Sequence, residues 1–212
     1  MVARFPPRPR WTAPAFSASA WPPDAAPLCV PLWLATCVVI WLGLFAGEQA
    51  ARAQDASLES AVKATYLHKF APFVEWPNPA AEFPDGSFTV CIVGNDPFDG
   101  LLDRAVNGQA IAGHQIAIHR LTRVTGNPGC AVLFATGSAA QSVADILAAT
   151  RGMPVLTVTD SASDPAAKGI INFIVVDNRV RFEIDMHNAA SDGLSISSKL
   201  LSLAVRVTGA SP

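Results

Sequence analysis

Phe88-Thr89-Val90-Cys91-Ile92-Val93-Gly94-Asn95-Asp96-Pro97-Phe98 decides the fold class. Phe88 to Val93 is a short apolar run that ends at a glycine, the pattern of a strand buried on both faces. Gly94-Asn95-Asp96-Pro97 then turns the chain. Asp96 is suited to cap a helix and Pro97 to occupy its first turn, so a helix is predicted from there to Val106. A buried strand that feeds directly into a helix points to an α/β sandwich.

The segments on either side repeat the theme. Upstream, Leu58, Ala61, Val62, Thr65, Tyr66, Phe70 and Phe73 fall on one face of a helix predicted over Leu58–Trp76, with Ser57 as its cap, a kink at Pro72 and a stop at Pro77. Downstream, Gln115–Leu121 alternates like a strand, and Cys130–Ala135 reads as another buried strand. Ser138–Thr150 is an Ala-rich amphipathic helix, Val155–Thr159 a strand, and Asp164–Ala167 a capped helical turn. Ile171–Val176 and Arg179–Asp185 flank Asp177-Asn178, a two-residue hairpin signal. Leu194–Val207 carries leucines, isoleucine and valine at helical spacing and is predicted as a final helix. The expectation is one α/β domain with about six strands in a mixed sheet and about five helices. Its early strands are parallel and the last is antiparallel to its neighbour.

Residues 1–53 read differently. Eight of the 17 prolines fall in residues 1–31, and Arg4, Arg8 and Arg10 precede an apolar run from Leu28 to Ala46. Ala51-Arg52-Ala53 follows, so the order is positive, apolar, small-x-small, as in a secretory signal peptide cleaved after Ala53. The alternative is an uncleaved anchor, since the run approaches the ~20 residues that span a bilayer. The proline-rich stretch ahead of the run is longer than such leaders usually are, which leaves the start of translation open. Residues 54–212 hold 11 Lys+Arg against 15 Asp+Glu, and a net negative chain argues against a nucleic-acid surface. The predicted address is the periplasm.

The chemistry-bearing residues are few. Cys91 and Cys130 sit in or at the start of predicted strands. If those strands are neighbours, a bridge is sterically allowed and worth about 4 kcal/mol in the chain-entropy account; otherwise they are two buried thiols. Gly94, Asn95, Asp96 and Phe98 form a turn where a strand hands over to a helix, a place where α/β folds dock small ligands, although the loop lacks a dinucleotide or Walker pattern. His68, His114, His119 and His187 have no ligand spacing, so no metal and no cofactor are expected. Ser138 lacks the G-x-S-x-G setting of a hydrolase nucleophile and reads as a helix cap, and Asp160 reads as a turn residue. Arg179, Arg181 and Glu183 share one face of the last predicted strand, either as a solvated ladder or as a surface that holds a partner's anionic group. Lys199 adds a cation near the end of the chain.

Five ordered motifs carry a resemblance. They are Ala64-Thr65-Tyr66-Leu67 with Lys69-Phe70 and Phe73-Val74-Glu75-Trp76-Pro77; Cys91 to Phe98; Leu156-Thr157-Val158-Thr159-Asp160; Gly169-Ile170-Ile171-Asn172-Phe173; and Asn178 to Asp185 with Gly193 to Leu201. Over 58–207 the chain resembles the YfiR family of exported bacterial proteins. The resemblance implies a small periplasmic α/β protein that forms homodimers. It also implies a repressor that binds the periplasmic region of a membrane sensor or diguanylate cyclase, so that its release raises cyclic di-GMP and favours biofilm. It further implies that Cys91 and Cys130 are one of the family's disulfides. A second family pair has no counterpart, because residues 151–200 contain no Cys, which puts switching by bridge exchange in doubt. No enzyme activity is expected. Arg179, Arg181, Glu183 and Lys199 are the candidate partner-facing residues. The competing readings are a periplasmic small-ligand binding protein that feeds a membrane receptor, with its site at Gly94–Phe98, and an exported hydrolase.

Overall fold

The computed structural model describes residues 54–78 and 86–209. The predicted leader, its Leu28–Ala46 run and the cleavage site after Ala53 lie outside the described residues, as do the turn residues Pro79 and Pro84-Asp85. No helix among the described residues is long and apolar enough to cross a membrane.

Helix α1 covers 54–70 and gives way to a single 3-10 turn, Ala71–Phe73. The predicted end at Trp76 is therefore corrected. Pro72 lacks the N–H that the next helical bond needs, so the helix stops before it instead of kinking through it. The chain then forms β1 (Val74–Glu75), β2 (Ser87–Gly94), α2 (Leu101–Val106), β3 (Ala110–Ile111), β4 (His114–Leu121), β5 (Val132–Gly137), α3 (Val143–Thr150) and β6 (Leu156–Asp160). After these come β7 (Ile171–Val176), β8 (Arg179–Asp185), α4 (Met186–Ser191), β9 (Ser195–Ile196), α5 (Ser198–Leu201) and β10 (Arg206–Thr208).

Eight strands make one mixed sheet in the order β10-β8-β7-β6-β5-β2-β4-β3, and β1 pairs with β9 in a separate ribbon. The sheet is larger than the expected six strands. All six predicted strands are present, but β3 and β10 extend the edges and are too short to show periodicity. Strands β4, β2, β5, β6 and β7 run parallel; β8 is antiparallel to β7, as the hairpin pattern predicts, and β10 is parallel to β8.

Alternation along the strands sorts the core into two faces. Phe88, Val90 and Ile92 of β2 join Val132 and Phe134 of β5 beneath α1 and α2. Cys91, Val93, Leu133 and Ala135 point the other way, toward Ile146 of α3. Phe70 anchors α1, with its ring 5.1 Å from Phe182 and 5.8 Å from Phe173. Burying a ring of this size contributes about 2–3 kcal/mol. The inner side of α1 also carries charge: Lys63, 4% exposed, bonds the carboxylates of both Glu59 and Asp160. Asp160 closes β6, so this ion pair ties the helix to the end of a central strand.

Four further helix expectations are corrected, the first three by a turn that intervenes. Asp96 accepts from Phe98 N–H in a local turn, and Asp99 and Gly100 take positive φ, so α2 starts at Leu101. Ser138 is not a helix cap: its N–H closes a bridge to Gln141, and the cap of α3 is Ser142, bonded by Asp145 N–H. Asp164 holds Ala166 and Ala167 N–H groups in a turn that never becomes a helix. The predicted helix over Leu194–Val207 is instead β9, the single turn α5 and β10. Its apolar residues have helical spacing, but Leu203 is 60% exposed and Val205 50%. Helix α4 escaped prediction, although Asp185 is a regular cap that accepts from Asn188 N–H.

Candidate functional site

The β7–β8 hairpin turns on Asp177 and Asn178, both with φ near +50°, the mirror-image turn that matches strand twist. Cross-strand register puts Val175 beside Val180 and Phe173 beside Phe182, on the side facing α1. Val176 with Arg179, Ile174 with Arg181 and Asn172 with Glu183 occupy the other side. Arg206 of β10 lies next to Glu183 and belongs to that second side as well.

Glu183 is the fixed member of this surface. It accepts from Lys168 Nζ at 2.8 Å and lies 3.5 Å from Arg206 Nε. The Lys168 hydrogen bond, opposed by partial burial, holds its carboxyl below the usual range. Arg179 and Arg181 are exposed and form no ion pair among the described residues. The two readings of this strand thus divide by residue. Glu183 makes the ladder, while the two guanidinium groups remain available to an anionic partner. Lys199 is exposed on α5, a separate element.

Exposed apolar residues lie on both sides of the hairpin tip, with Arg179 in the cleft on the α1 side. Val175 and Val176 are 47% and 41% exposed, and Leu58 on the first turns of α1 is 65% exposed. Leu58, Glu59, Val62, Val175, Arg179 and Val180 line one cleft of about 280 Å³ between α1 and the hairpin tip. Val205 hydrogen-bonds Phe182 C=O at 3.0 Å, bringing a further exposed valine to the far edge of β8. Scattered apolar residues are ordinary, but a cluster flanked by unpaired cations is the composition of a protein-binding surface. Sequence reasoning found the arginines and missed these apolar residues. Val175-Val176 reads as the continuation of a buried strand, and nothing in Leu58 says that it lies beyond the sheet.

The Gly94–Phe98 turn is also where topology changes direction. From β2 the chain crosses to β4 on one side, and from β5 it crosses to β6 on the other, so the crevice between β2 and β5 is a switch point. The protein's own groups occupy it. Asn95 N–H donates to Gly137 C=O at 3.1 Å, and the Thr136 hydroxyl reaches Asn95 C=O at 2.7 Å. A side chain on Gly94 would stand 2.3 Å from the Gly137 oxygen. Phe98 is fully buried with its ring 5.1 Å from Phe134. Asp96 accepts from Arg120 at 2.7 Å, and Arg120 also holds Asp103, whose carboxyl is pulled below its ordinary range chiefly by that hydrogen bond.

Cys91 and Cys130 are joined by a disulfide, with Cα atoms 5.9 Å apart and both residues buried. Cys91 pairs with Leu133 across β2 and β5, and Cys130 leads into β5. Ser138 Oγ accepts from Ala140 N–H, and Asp160 is held by Lys63, so the two candidates for hydrolysis serve turns and an ion pair. Among the described residues no group of three His, Cys, Asp or Glu could hold a metal.

The sequence model of a family described as YfiR/HmsC-like matches residues 60–205. No curated protein matches the chain.

Proposed function

The chain belongs to the YfiR/HmsC-like family, whose members are periplasmic regulators of diguanylate cyclase signalling, and on that premise we propose that it represses a membrane-bound sensor, most simply a diguanylate cyclase. The observation that carries this reading is the hairpin surface. Exposed Leu58 and Val175 line a cleft with Arg179, and exposed Val176 shares the opposite side of the hairpin with Arg179 and Arg181, two guanidinium groups that form no ion pair among the described residues. Apolar anchors would supply the contact area, and the guanidinium groups would select a partner with carboxylates at matching positions. Repression follows if this surface binds the inactive state of the sensor more tightly than the active one. An envelope signal that competes for the surface would then release the cyclase and raise cyclic di-GMP and biofilm. Export by the leader, with cleavage after Ala53, places the domain where it meets the sensor's periplasmic region.

Deleting the gene tests this reading. Cyclic di-GMP is expected to rise and to return to the starting level on complementation with the natural chain. An Arg179→Glu/Arg181→Glu chain is expected to fold, to be exported and not to complement. Unchanged cyclic di-GMP in the deletion strain would overturn the proposal.

A further inference from the structure

We propose that a hollow between the ends of α3 and α4 binds a small hydroxylated anion, with the chemistry shared by sugar phosphates and sugar acids. The hollow has a volume of about 350 Å³, at the small end of the range for ligand sites. Its floor is Thr157 of β6, which the register with Leu133 places on the α3 side of the sheet. Arg151, just past α3, and Asp192, just past α4, form two walls, and the Lys168-Gly169 segment forms a third. These walls are fixed to one another by the fold itself. Gly152 N–H donates to Asp192 at 2.7 Å, which ties the end of α3 to the end of α4. Gly169 N–H donates to Thr159 Oγ1 at 3.0 Å and Ile170 N–H to Thr157 Oγ1 at 3.1 Å, which hold the third wall against the sheet.

The polar groups that line the hollow have bonding capacity to spare. Asp192 is 8% exposed, and only one of its carboxylate oxygens has a partner among the described residues. Burial pushes its pKa up, against the Gly152 hydrogen bond and the Arg151 charge. Arg151 nevertheless forms no ion pair with it or with any other described residue. Thr157, 4% exposed, accepts from Ile170 N–H, and no described group receives its hydroxyl proton. The side chains of His187 and Asn188, also on the lining, bond nothing among the described residues. Buried polar groups are normally satisfied. A cation and a carboxylate that line one cavity without meeting are accounted for by a ligand that bridges them, accepting from Arg151 and donating to Asp192. The surrounding charge sets the sign of that ligand. Lys168 is held by Glu183, which is shared with Arg206, so Arg151, Lys168 and Arg206 stand against only Asp192 and Glu183. A zwitterion would leave this excess positive charge unmatched. An anion that carries hydroxyl groups matches it, with its charged group on Arg151 and its hydroxyls on Asp192, Asn188 and Thr157. Neither Arg179 nor Arg181 lines the hollow, and its occupancy is independent of the regulatory role proposed above.

The test is isothermal titration of the purified exported chain with glucose 6-phosphate and with glucuronate. At least one is expected to bind with a Kd below about 1 mM, and the tighter of the two shows whether the anionic group is a phosphate or a carboxylate. Glucose lacks the anion, inorganic phosphate the carbon-borne hydroxyls and serine the net charge, so each is expected to bind at least about tenfold more weakly. Arg151→Gln changes an exposed side chain and is expected to weaken binding at least about tenfold, whereas Arg104→Gln on α2 is expected to leave it unchanged. In amide NMR spectra of the natural chain, the Gly152 N–H resonance is expected to shift as the site fills. No binding of either sugar anion up to about 10 mM would overturn the proposal. So would glucose, phosphate or serine binding as tightly as the sugar anions, an Arg151→Gln chain that binds like the natural one, or saturation that leaves the Gly152 resonance in place.

Discussion

Removing the Cys91–Cys130 bridge is the perturbation whose size follows most directly from the structure. The bridge joins residues 39 apart in sequence, and both cysteines are buried between β5 and the centre of β2. In the chain-entropy account a loop of this length restricts the unfolded chain by about 13 cal/mol/K, or about 4 kcal/mol at 25 °C. The unfolding entropy of a domain of this size is about 0.3 kcal/mol per degree, so the expected fall in Tm is about 12 °C. Cys91→Ala/Cys130→Ala should show that fall in urea and thermal unfolding. Its m-value should be larger, because the unfolded chain exposes more surface once the loop is open. The natural protein should also resist reductant until it unfolds, because solvent reaches neither sulfur. A stability loss below about 1 kcal/mol, or an m-value that does not rise, would refute the reasoning that the bridge acts through the unfolded chain.

Other substitutions probe separate parts of the account. Asp160→Asn leaves Lys63 with only the half-exposed Glu59 and should cost roughly 3 kcal/mol in chemical unfolding, while Lys63→Met/Asp160→Leu should recover most of it. A loss under about 1 kcal/mol in the single variant would mean that the ion pair does not anchor α1. Gly94→Ala puts a methyl group against the Gly137 carbonyl at a φ of +106°, and should lower expression or stability by more than about 3 kcal/mol; a neutral result would show that the switch-point crevice is open. Lys168→Met removes the main cause of the lowered Glu183 pKa. A carboxyl depressed in the folded state contributes stability above its unfolded pKa and loses it as pH falls through the folded value. The acid unfolding arm below about pH 4.5 should therefore move upward in Lys168→Met, and a coincident arm would contradict the assignment. Asp192 is the reverse case: burial raises its pKa although it accepts from Gly152 N–H at 2.7 Å. Its ionisation opposes folding above that raised pKa, so Asp192→Asn, which keeps the acceptor, should be neutral or stabilising at pH 7 by up to about 1 kcal/mol. A clear destabilisation there would contradict it.

Much of the architecture is legible in local pattern. Phe88–Val93 and Cys130–Ala135 are largely apolar runs because both faces of these central strands are buried, and Asp177-Asn178 announces the hairpin through its turn chemistry. What escaped reading depends on long-range pairing. β1, β9 and β10 are two or three residues long, and only a partner strand distant in sequence makes them strands; β3 is equally short and pairs across a two-residue turn with β4. The Leu194–Val207 stretch misleads because helical spacing does not distinguish Leu200, which is buried, from Leu203, which is exposed. The candidate surface divides in the same way. Alternation places Arg179 and Arg181 on one face, but the salt bridge from Arg206 to Glu183 and the exposed group of Leu58 and Val175 exist only after α1 and β10 have docked.

The most direct measurement of the regulatory account is the rate of cyclic di-GMP synthesis by detergent-solubilised membranes of the native host, as the purified exported chain is titrated in. The account predicts a saturable fall in rate, with the half-point moved to at least about tenfold higher concentration by Arg179→Glu/Arg181→Glu. A rate that stays constant at every concentration of the natural chain would contradict it.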